Sequence, residues 1–540
     1  MPHDLAPPHL RWNLLEEPLI RWRGAVPGDL HRSSLPELLA ALAANAVWDF
    51  PALRAHQRHP WHAFLTQLAA VALHRVGRTQ PWAQAQDWSA ALRALTPDDA
   101  DDAPWCLVAP VDRPAWLQPP VPGERIGTWK NVLHAADELD MLVTSKNHDL
   151  KAARARRAEP DDWIFALVSL QTQEGFLGAG NYGISRMNGG FASRPGVGVA
   201  PIGNWATRWM DDVRTLLKQR EIIAEQQGLA SEDGHALLWL LPWSGADSLP
   251  FQSLDPLYIE VCRRVRLASA AEGVWEARAT GSTAPRVAAK DRNGVTGDPW
   301  TPVDVAEGKA LTVSGAGFEY KLMSELLTGG RFAHGAAWRL DGWPQSASLQ
   351  VIAQAVVRGQ GKTEGYHERR VPISPKLRSL LAGPQRVTVA TMAKQRIDAI
   401  AALRKLLWSA LVVLFSNAVH GAGNDTVSQK AGRFARPFEQ GEDGRFFDDL
   451  TLEAEAEDAE RPALRVQWLL GLVGRCEQVL TDAFDAGPRS GMQRYKARSA
   501  ALGRFHGGLR GPKPVLPDLA AHYERQRQAR SAAAEEQFHD

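Results

Sequence analysis

The chain has 540 residues, a formal net charge of +1, 23% charged residues and three cysteines, Cys106, Cys262 and Cys476. This length exceeds what one hydrophobic core organises, and the balanced charge excludes a uniformly basic nucleic-acid binder, so any such role must rest on local patches. The scattered cysteines exclude a disulfide framework and a CxxC metal site. The start of the chain has no basic-then-apolar signal and its most apolar run, 406–415, is too short to span a bilayer, which predicts a cytoplasmic protein.

The first two thirds of the chain predict a mixture of helices and strands. A strand pair or an extended arm is expected at residues 10–25. Ser34 can cap a helix that has Pro36 in its first turn. From the spacing of apolar residues, further helices are predicted over 60–74, 161–172 and 204–227, and strand-like segments between 237 and 313.

Residues 140–157 form the first informative stretch. Thr144, Ser145, Lys146 and Asn147 precede a run of one lysine and three arginines. Polar hydrogen-bonding groups followed by cations are typical of a segment that holds phosphates. A solvated basic helix face explains the same charge run, and both interpretations remain open at this point.

Residues 171–203 form the second informative stretch, with nine glycines and, among them, Arg186, Asn188, Ser193 and Arg194. Glycine loses the most conformational entropy on ordering, so this density suits a backbone that must approach a ligand closely. The arginines and the asparagine favour an anionic or nucleic-acid ligand. An irregular surface loop would have the same composition, and the two interpretations are equally compatible with it.

Two further loops carry lysines. The loop at 286–300 contains Lys290; a lone lysine on a loop is generally solvated, although its flexible stem also suits it to probing a DNA groove. The second loop contains Gly361, Lys362 and Thr363, which match the end of a phosphate-binding P-loop. That motif is incomplete, because residue 356 is valine and VPIS follows where a helix is required. We therefore predict a β-hairpin with a lysine at its tip.

The C-terminal third predicts a helix bundle, with helices over 385–419, 424–438, 463–484, 492–505 and 516–533. The acidic segment 442–460 is expected to be a solvated link. The segment 494–513 carries six basic residues and no acid. It either lies against a nucleic-acid backbone or balances the acidic segment in space.

Sequence motifs for catalysis are missing. The chain has no complete P-loop, no GxGxxG that opens a helix after a strand, and no HExxH, GxSxG or HxE…CxxC pattern. An enzymatic function is therefore disfavoured, and no catalytic residue is predicted.

In their order and spacing, these segments resemble the large subunit of the type I-E CRISPR surveillance complex (Cascade), the CasA family. The resemblance covers nearly the whole chain. It is carried by NLLEEPLI, LVTSKNHD, LQTQEGF followed by MNGGFASRPGVG, RRVRL followed by GDPWTPV, and RGQGKTEGYHERR. It implies an α+β fold, with a mixed α/β domain over residues 1–380 and a C-terminal bundle of the four-helix type over 381–540.

The resemblance also implies a function. A subunit of this family has no catalytic activity or cofactor of its own, and it binds the guide RNA (crRNA) and the other Cascade subunits. It recognises the protospacer-adjacent motif (PAM) in double-stranded target DNA, helps to open the strands into an R-loop, and recruits a separate helicase–nuclease. No membrane takes part.

Site residues follow from the resemblance by position. They are Asn188, Gly189, Gly190 and Gly196 in a loop against the minor groove of the motif; Lys290 as a lysine that enters that groove; Gly361, Lys362 and Thr363 as a strand-separating wedge; and Thr144, Ser145, Lys146 and Asn147 at the 5′ handle of the guide RNA.

The chain departs from the family pattern in two places. Some members have glutamine at the point of the wedge, whereas this tip offers Lys362, which suits attraction to phosphate, with Gln360 just before the tip as the other option. Some members also carry a cysteine pair before the glycine-rich region, which is missing here, so no metal is predicted. Two alternative functions remain: a nucleotide- or metal-dependent enzyme that acts on nucleic acid, and an assembly scaffold whose glycine-rich loop touches only protein.

Overall fold

The computed structural model describes residues 11–121, 123, 125–140, 158–189, 193–269, 275–359, 362–416 and 425–539, with only the backbone at 269, 359, 362–364 and 530–539. The chain divides into two compact units. Unit 1 consists of Met1–Phe318 and Gly330–Ile373, and unit 2 consists of Glu319–Gly329 and Ser374–Asp540.

Unit 1 mixes helices and strands. Its helices are α1 (Leu35–Ala43), α2 (Arg58–Arg75), α3 (Ala85–Ala94), α4 (Ala136–Leu139), α5 (Pro160–Gln173) and α6 (Trp205–Gln227). Its strands are β1 (Ile20–Arg23), β2 (Leu30–Ser33), β3 (Asn131–Leu133), β4 (Gly196–Pro201), β5 (His235–Leu237), β6 (Leu249–Pro250), β7 (Leu254–Ile259), β8 (Arg264–Ser269), β9 (Trp275–Thr280), β10 (Val287–Ala288), β11 (Val303–Asp304), β12 (Lys309–Ala310), β13 (Phe332–Ala333), β14 (Leu349–Gly359) and β15 (Lys362–Ile373).

Local sequence explains the start of α1. The Ser34 hydroxyl accepts a hydrogen bond from the Glu37 amide, and the Glu37 carboxylate accepts one from the Ser34 amide at 2.8 Å. This reciprocal capping box satisfies two backbone donors that a helix start otherwise leaves open. The helix predicted to begin at Ser34 is confirmed.

The core of unit 1 is rich in tryptophan. Nine tryptophan side chains are fully buried there: Trp61, Trp88, Trp105, Trp116, Trp163, Trp209, Trp239, Trp243 and Trp300. Helix α2 is buried along most of its length and packs against α5, α6 and β7. Because large aromatic side chains bury the most apolar area, this core fixes the positions of the loops that leave it.

The sheets of unit 1 are small. The longest strands, β14 and β15, form an antiparallel hairpin, and β4 pairs antiparallel with β14 on its other side. Strands β3, β9 and β8 form a second antiparallel sheet, and β12, β11 and β13 form a third. Residues 10–25, where a strand pair or an extended arm was predicted, contain one strand, β1, and its antiparallel partner β2 lies beyond that range.

Unit 2 is helical in its described part. Its helices are α7 (Tyr320–Thr328), α8 (Pro375–Ala382), α9 (Arg386–Phe415), α10 (Asp425–Glu455), α11 (Arg461–Asp482), α12 (Gly491–Arg510) and α13 (Pro517–His539). Helix α9 packs against α10, α11 and α12, and α13 packs against α11 and α12. With the mixed unit 1, this confirms the α+β fold class. None of the helices in the described ranges combines the length and apolarity that crossing a bilayer requires.

The acidic segment 442–460 was predicted to be a solvated link, and this prediction is wrong for its first part. Helix α10 continues to Glu455 through Pro437. Glu442 is buried and accepts hydrogen bonds from Arg475 at 2.6 and 2.8 Å, and buried Glu453 accepts one from Arg396 at 2.8 Å. Buried ion pairs with α11 and α9 thus fix carboxylates that look solvated in sequence.

The basic segment 494–513 does not supply these counter-charges. Arg498 pairs with Asp485 at 3.3 Å, and Arg504 donates to Ser409. Arg494 and Lys496 are exposed and make no ion pair with any described residue. Of the two interpretations of this segment, balance of the acidic segment is not supported by these contacts.

Candidate nucleic-acid interface

The glycine-rich stretch begins with a closed loop, 174–184, in unit 1. The Ile184 amide donates to the Glu174 carbonyl at 3.0 Å. The buried Arg263 side chain donates to the Gly175 carbonyl at 2.8 Å and also to the Tyr182 carbonyl. At Gly183, a Cβ would lie 2.6 Å from the Phe176 amide nitrogen, so glycine is needed for backbone to pack on backbone. The early glycines therefore shape the loop.

Two arginines of this stretch were expected to favour an anionic ligand, and the structure corrects that inference. Arg186 and Arg194 are 2% and 1% exposed. Arg186 donates to the Tyr258 carbonyl at 2.6 Å and its guanidinium lies 3.9 Å from the centre of the Tyr258 ring. Arg194 donates two hydrogen bonds to Asp298, one of them at 3.2 Å. Both guanidinium groups are bound inside the protein.

Asp298 is the anion that holds both arginines. It is 4% exposed, its carboxylate lies 3.6 Å from Arg186 Nη1, and it also accepts the Trp300 amide at 3.0 Å. Burial alone would raise the pKa of Asp298, but the guanidinium groups of Arg194 and Arg186 hold it below its usual value. This cluster anchors Arg186 and Arg194 of the glycine-rich stretch to Asp298, which lies after the Lys290 turn.

Asn188 and Gly189, which follow loop 174–184 in the glycine-rich stretch, lie at the surface. Gly189 is exposed with φ +41°, its amide donates to the Met187 carbonyl at 3.1 Å, and an added Cβ would meet no atom within 4 Å. The Asn188 side-chain amide lies 3.5 Å from the Thr312 hydroxyl. The predicted Gly190 lies outside the described residues. The backbone at Gly189 is therefore open to a ligand.

The Lys290 turn, 290–292, packs beside this loop. Gly294 has φ +80°, and a Cβ there would lie 2.5 Å from the Met187 carbonyl carbon and 2.7 Å from the Asn188 amide nitrogen. Only glycine permits so close a contact. The structure thus brings together two predicted site segments that are about a hundred residues apart in the sequence.

Within that turn, Lys290 differs from its neighbours. Arg292 donates to the Gln227 carbonyl at 2.9 Å and lies 3.8 Å from the centre of the Phe251 ring. Lys290 is exposed, and its side chain has no hydrogen bond or ion pair with any residue that the structure describes. An exposed, unpaired cation four positions before Gly294, which contacts the Asn188 backbone, is an arrangement that can meet DNA.

Gly196 is not part of this surface. It lies in β4 and is buried, and a Cβ there would lie 2.4 Å from Nδ1 of His59. His59 is itself buried, and burial lowers the pKa of its imidazole well below the usual value. Gly196 therefore serves packing of the sheet on α2.

The predicted wedge lies at the tip of the β14–β15 hairpin. Lys362 pairs with Gly359 and Thr363 with Arg358, and the register then shifts so that Val357 faces Gly365. Gly361 lies outside the described residues. Lys362 and Thr363 are in a strand, and in the described residues the next helix begins only at Pro375, which confirms the hairpin and excludes a P-loop.

The predicted guide-RNA contacts Thr144, Ser145, Lys146 and Asn147 all lie outside the described residues. The segment that contains them follows Asp140, which accepts hydrogen bonds from Gln57 at 2.9 Å and from Arg54 at 3.3 Å and lies 2.7 Å from His56. These contacts fix the point from which the segment leaves α4.

Comparison with solved structures places this architecture. No family model and no curated protein sequence matches the chain. The CRISPR-associated protein Cse1 of Acidimicrobium ferrooxidans superposes with a TM-score of 0.62 at 15% identity, covering 92% of this chain and 97% of its own. CasA (Cse1) of Thermus thermophilus gives 0.61 at 16% identity, covering 92% and 98%. Cse1 of Thermobifida fusca gives 0.61 at 15% identity, covering 95% and 99%.

The chain has the CasA fold. The resemblance stated from the sequence motifs is confirmed at the level of the fold, and the likeness spans nearly the full length of each chain. In this example of the CasA fold, the surface formed by Asn188, Gly189 and Lys290 is held in place by Gly294 and by the buried cluster around Asp298.

A small cavity of about 20 Å³ lies at the roots of the loops on this CasA fold. Its lining includes Asp140, which precedes the segment with the predicted handle contacts, and Val356, which precedes the hairpin tip. Glu174 and Ser193, on either side of the glycine loop, also line it. Glu174 lies 3.8 Å from Arg263 and 3.5 Å from Arg358. Burial raises the pKa of the Glu174 carboxyl to about 8, because the two guanidinium groups offset only part of the desolvation. No sequence motif points to Glu174 as a functional residue.

We expect stability to depend on pH through Glu174. Since its pKa is raised on folding, the folded state holds a proton that the unfolded state has lost, and stability falls as pH rises from about 4.5 towards about 8. Glu174→Gln removes this titration. The unfolding free energy of the variant minus that of the original chain should therefore increase by up to about 1.4 kcal/mol for each pH unit in that range. Urea unfolding at several pH values measures this difference. Parallel pH profiles for the two proteins would contradict the shift.

Proposed function

We propose that this chain is the non-catalytic large subunit of a type I-E CRISPR surveillance complex, which recognises the protospacer-adjacent motif in duplex DNA. The observation that carries the proposal is the joint surface of Asn188, Gly189 and Lys290, assembled through Gly294 on the CasA fold. In this role Gly189 and the neighbouring Gly190 let the backbone approach the minor groove closely, and Lys290 enters it.

The physical chemistry of the minor groove suits such a surface. Its hydrogen-bonding pattern separates mainly A·T from G·C pairs, so a backbone and one lysine are sufficient for a short and tolerant motif. Pairing with the guide RNA would supply the longer sequence information. Opening each base-pair step costs about 1–2 kcal/mol of stacking, a cost that inserted loops and phosphate contacts can offset.

The partners complete the proposal. The segment with Thr144, Ser145, Lys146 and Asn147 would hold the 5′ handle of the guide RNA, and the hairpin tip with Gly361, Lys362 and Thr363 would part the strands. Other Cascade subunits and a helicase–nuclease recruited in trans would supply assembly and cleavage, in the cytoplasm. Gly196 is left out of the motif-reading set, because its Cα faces the buried His59 ring.

Lys290→Ala tests the proposal in the assembled complex. We expect the variant to lose more affinity for motif-bearing duplex than for a target already opened into single strands, because the lysine acts on the closed groove. The slope of log K against log salt concentration should fall by about 0.9, as for the loss of one phosphate contact. Both quantities can be measured by gel shift across a salt series.

Lys218→Ala is the matched control, since Lys218 is also exposed on unit 1 and makes no ion pair in the described part of the chain. It should change neither affinity nor slope. Equal losses of Lys290→Ala on closed and opened targets would overturn the groove-reading role of Lys290. Unchanged affinity of the wild-type complex when the motif is scrambled would overturn the proposed function itself and leave an assembly scaffold.

A further inference from the structure

A groove of about 670 Å³ lies directly behind the Lys290 turn. It runs between the second half of α6 and the segments 294–303 and 333–341, all within unit 1. Its volume falls in the range of about 300–1,000 Å³ that is usual for small-molecule sites. Of the residues assigned to motif reading or strand separation, none that the structure describes lines this groove.

The groove presents an aromatic plane. His334 and Trp338 both line it and are half-buried, and their rings are stacked with centroids 3.8 Å apart and planes 6° apart. Two half-buried amide side chains, Gln219 and Gln227, also line it and donate or accept no side-chain hydrogen bond among the described residues. Aromatic planes stack on bases, and amides can pair with base edges.

The charges of the lining favour an uncharged ring over a phosphate. Asp298 is bound by Arg194, and Arg339 is bound by Asp211. No lysine is among the lining residues. Since these two groups are already paired and the third charged residue of the lining, Asp341, is an exposed carboxylate, the groove has stacking surface and hydrogen-bonding capacity but little to offer an anion.

The position of the groove connects it to DNA. Gly294 lines the groove and also packs against the Met187 and Asn188 backbone. It lies four positions after Lys290 in the chain, which limits the distance between their Cα atoms to about 14 Å. A nucleotide chain held by Lys290 can therefore send a base into the groove while its phosphates stay outside.

We propose that this groove receives an unpaired base of the DNA strand that is displaced when the duplex opens, stacked on Trp338 and His334 and contacted by Gln219 or Gln227. The inference rests on the proposed function, because it requires DNA to open beside the Lys290 turn. Its effect is to trap the opened state, since a stacked base is no longer available for re-pairing.

The test uses the assembled complex and two DNA probes with the same motif. One probe is an interstrand-crosslinked duplex that cannot open, and the other has a mismatched bubble beside the motif with 2-aminopurine placed at successive positions of the displaced strand. For the wild type we expect fluorescence quenching at one or two positions. Trp338→Ala should abolish the quenching and weaken bubble binding about tenfold, the size of one base–aromatic stack, with binding to the crosslinked duplex unchanged.

Three companion variants keep the outcome interpretable. Trp338→Phe should restore part of the affinity, because it keeps a ring. Gln219→Ala should weaken bubble binding a few-fold without altering the melting temperature, since this amide makes no hydrogen bond in the described structure. Trp48→Ala removes another exposed tryptophan of unit 1, outside the groove, and should change nothing.

Two results separate the two proposals. If the wild type distinguishes motif-bearing from scrambled DNA but shows no quenched position, and neither Trp338→Ala nor Gln219→Ala weakens bubble binding, the groove proposal is overturned alone. A groove that instead takes a protein side chain would give that result together with loss of a sister subunit from the Trp338→Ala complex. If the wild type does not distinguish the two DNAs, the proposed function is overturned.

Discussion

Gly189→Asp is expected to reduce the affinity of the assembled complex for motif-bearing duplex by at least about tenfold, or about 1.4 kcal/mol, without unfolding the chain. The added side chain meets no atom within 4 Å, and φ of +41° lies near the left-handed region that aspartate tolerates better than most residues. The carboxylate would therefore project from the proposed DNA-facing surface, where it repels phosphates and blocks approach of the backbone. Gel shift and melting temperature measure the two effects.

Two control variants separate charge, bulk and strain. Gly189→Asn has nearly the same shape without the charge, so the difference between the two variants reports electrostatic repulsion. Gly77→Asp makes the same change at another exposed glycine of unit 1, with φ +67° and open space around its Cα. It should leave DNA affinity unaltered. Full affinity of a folded Gly189→Asp complex would rule out this loop as the motif reader.

Asp298→Asn is expected to lower the free energy of unfolding of unit 1 by about 3–5 kcal/mol. It removes the carboxylate that pairs with the buried guanidinium groups of Arg194 and Arg186, and breaking a buried ion pair from one side carries a cost of this size. Tryptophan fluorescence during urea unfolding reports this unit well, because the nine fully buried tryptophans lie in it.

The effect should depend on pH in a defined direction. The pKa of Asp298 is lowered on folding from its usual 3.8, so its contribution is complete above that pH and is lost as pH falls through the lower folded-state pKa. The stability gap between the two proteins should thus be constant from about pH 5 to 8 and shrink in stronger acid. Asp291→Asn, which changes an exposed carboxylate in the Lys290 turn, should produce no gap. A gap below about 1 kcal/mol at pH 7 for Asp298→Asn would contradict the anchoring role of the cluster.

Local chemistry explains which elements the sequence predicts well. The Ser34 cap and the β14–β15 hairpin depend on residues that are near neighbours, and both are found in the structure. The length of α10 depends on distant partners instead. Proline inside a helix costs about 3 kcal/mol, so a stop near Pro437 is the local expectation, but buried Phe446 and the Glu442–Arg475 ion pair extend the helix to Glu455.

The candidate site shows the same limit. Arg194 meets its counter-ion 104 residues away in the sequence, so no local pattern reveals that it is buried. The contact of Gly294 with Asn188 is equally non-local. Sequence motifs predict which segments contribute to a site, whereas the packing of Gly294 against the Asn188 backbone depends on tertiary structure that spacing along the chain does not encode.

The division of the chain has a consequence for modularity. Helix α7 comes from within the first part of the chain but is part of unit 2, where the Tyr320 amide donates to Asp443 at 2.5 Å and Lys321 pairs with Glu439 at 2.7 Å. A fragment that begins at Ser374 would lack α7 and expose Phe446, whose ring centre lies 4.9 Å from that of Tyr320. A fragment that ends at Ile373 would keep α7 without the helices on which it packs. No single cut in the chain releases either unit intact. Exchange of the helical unit between relatives therefore requires both of its segments, Glu319–Gly329 and Ser374–Asp540, to be replaced together.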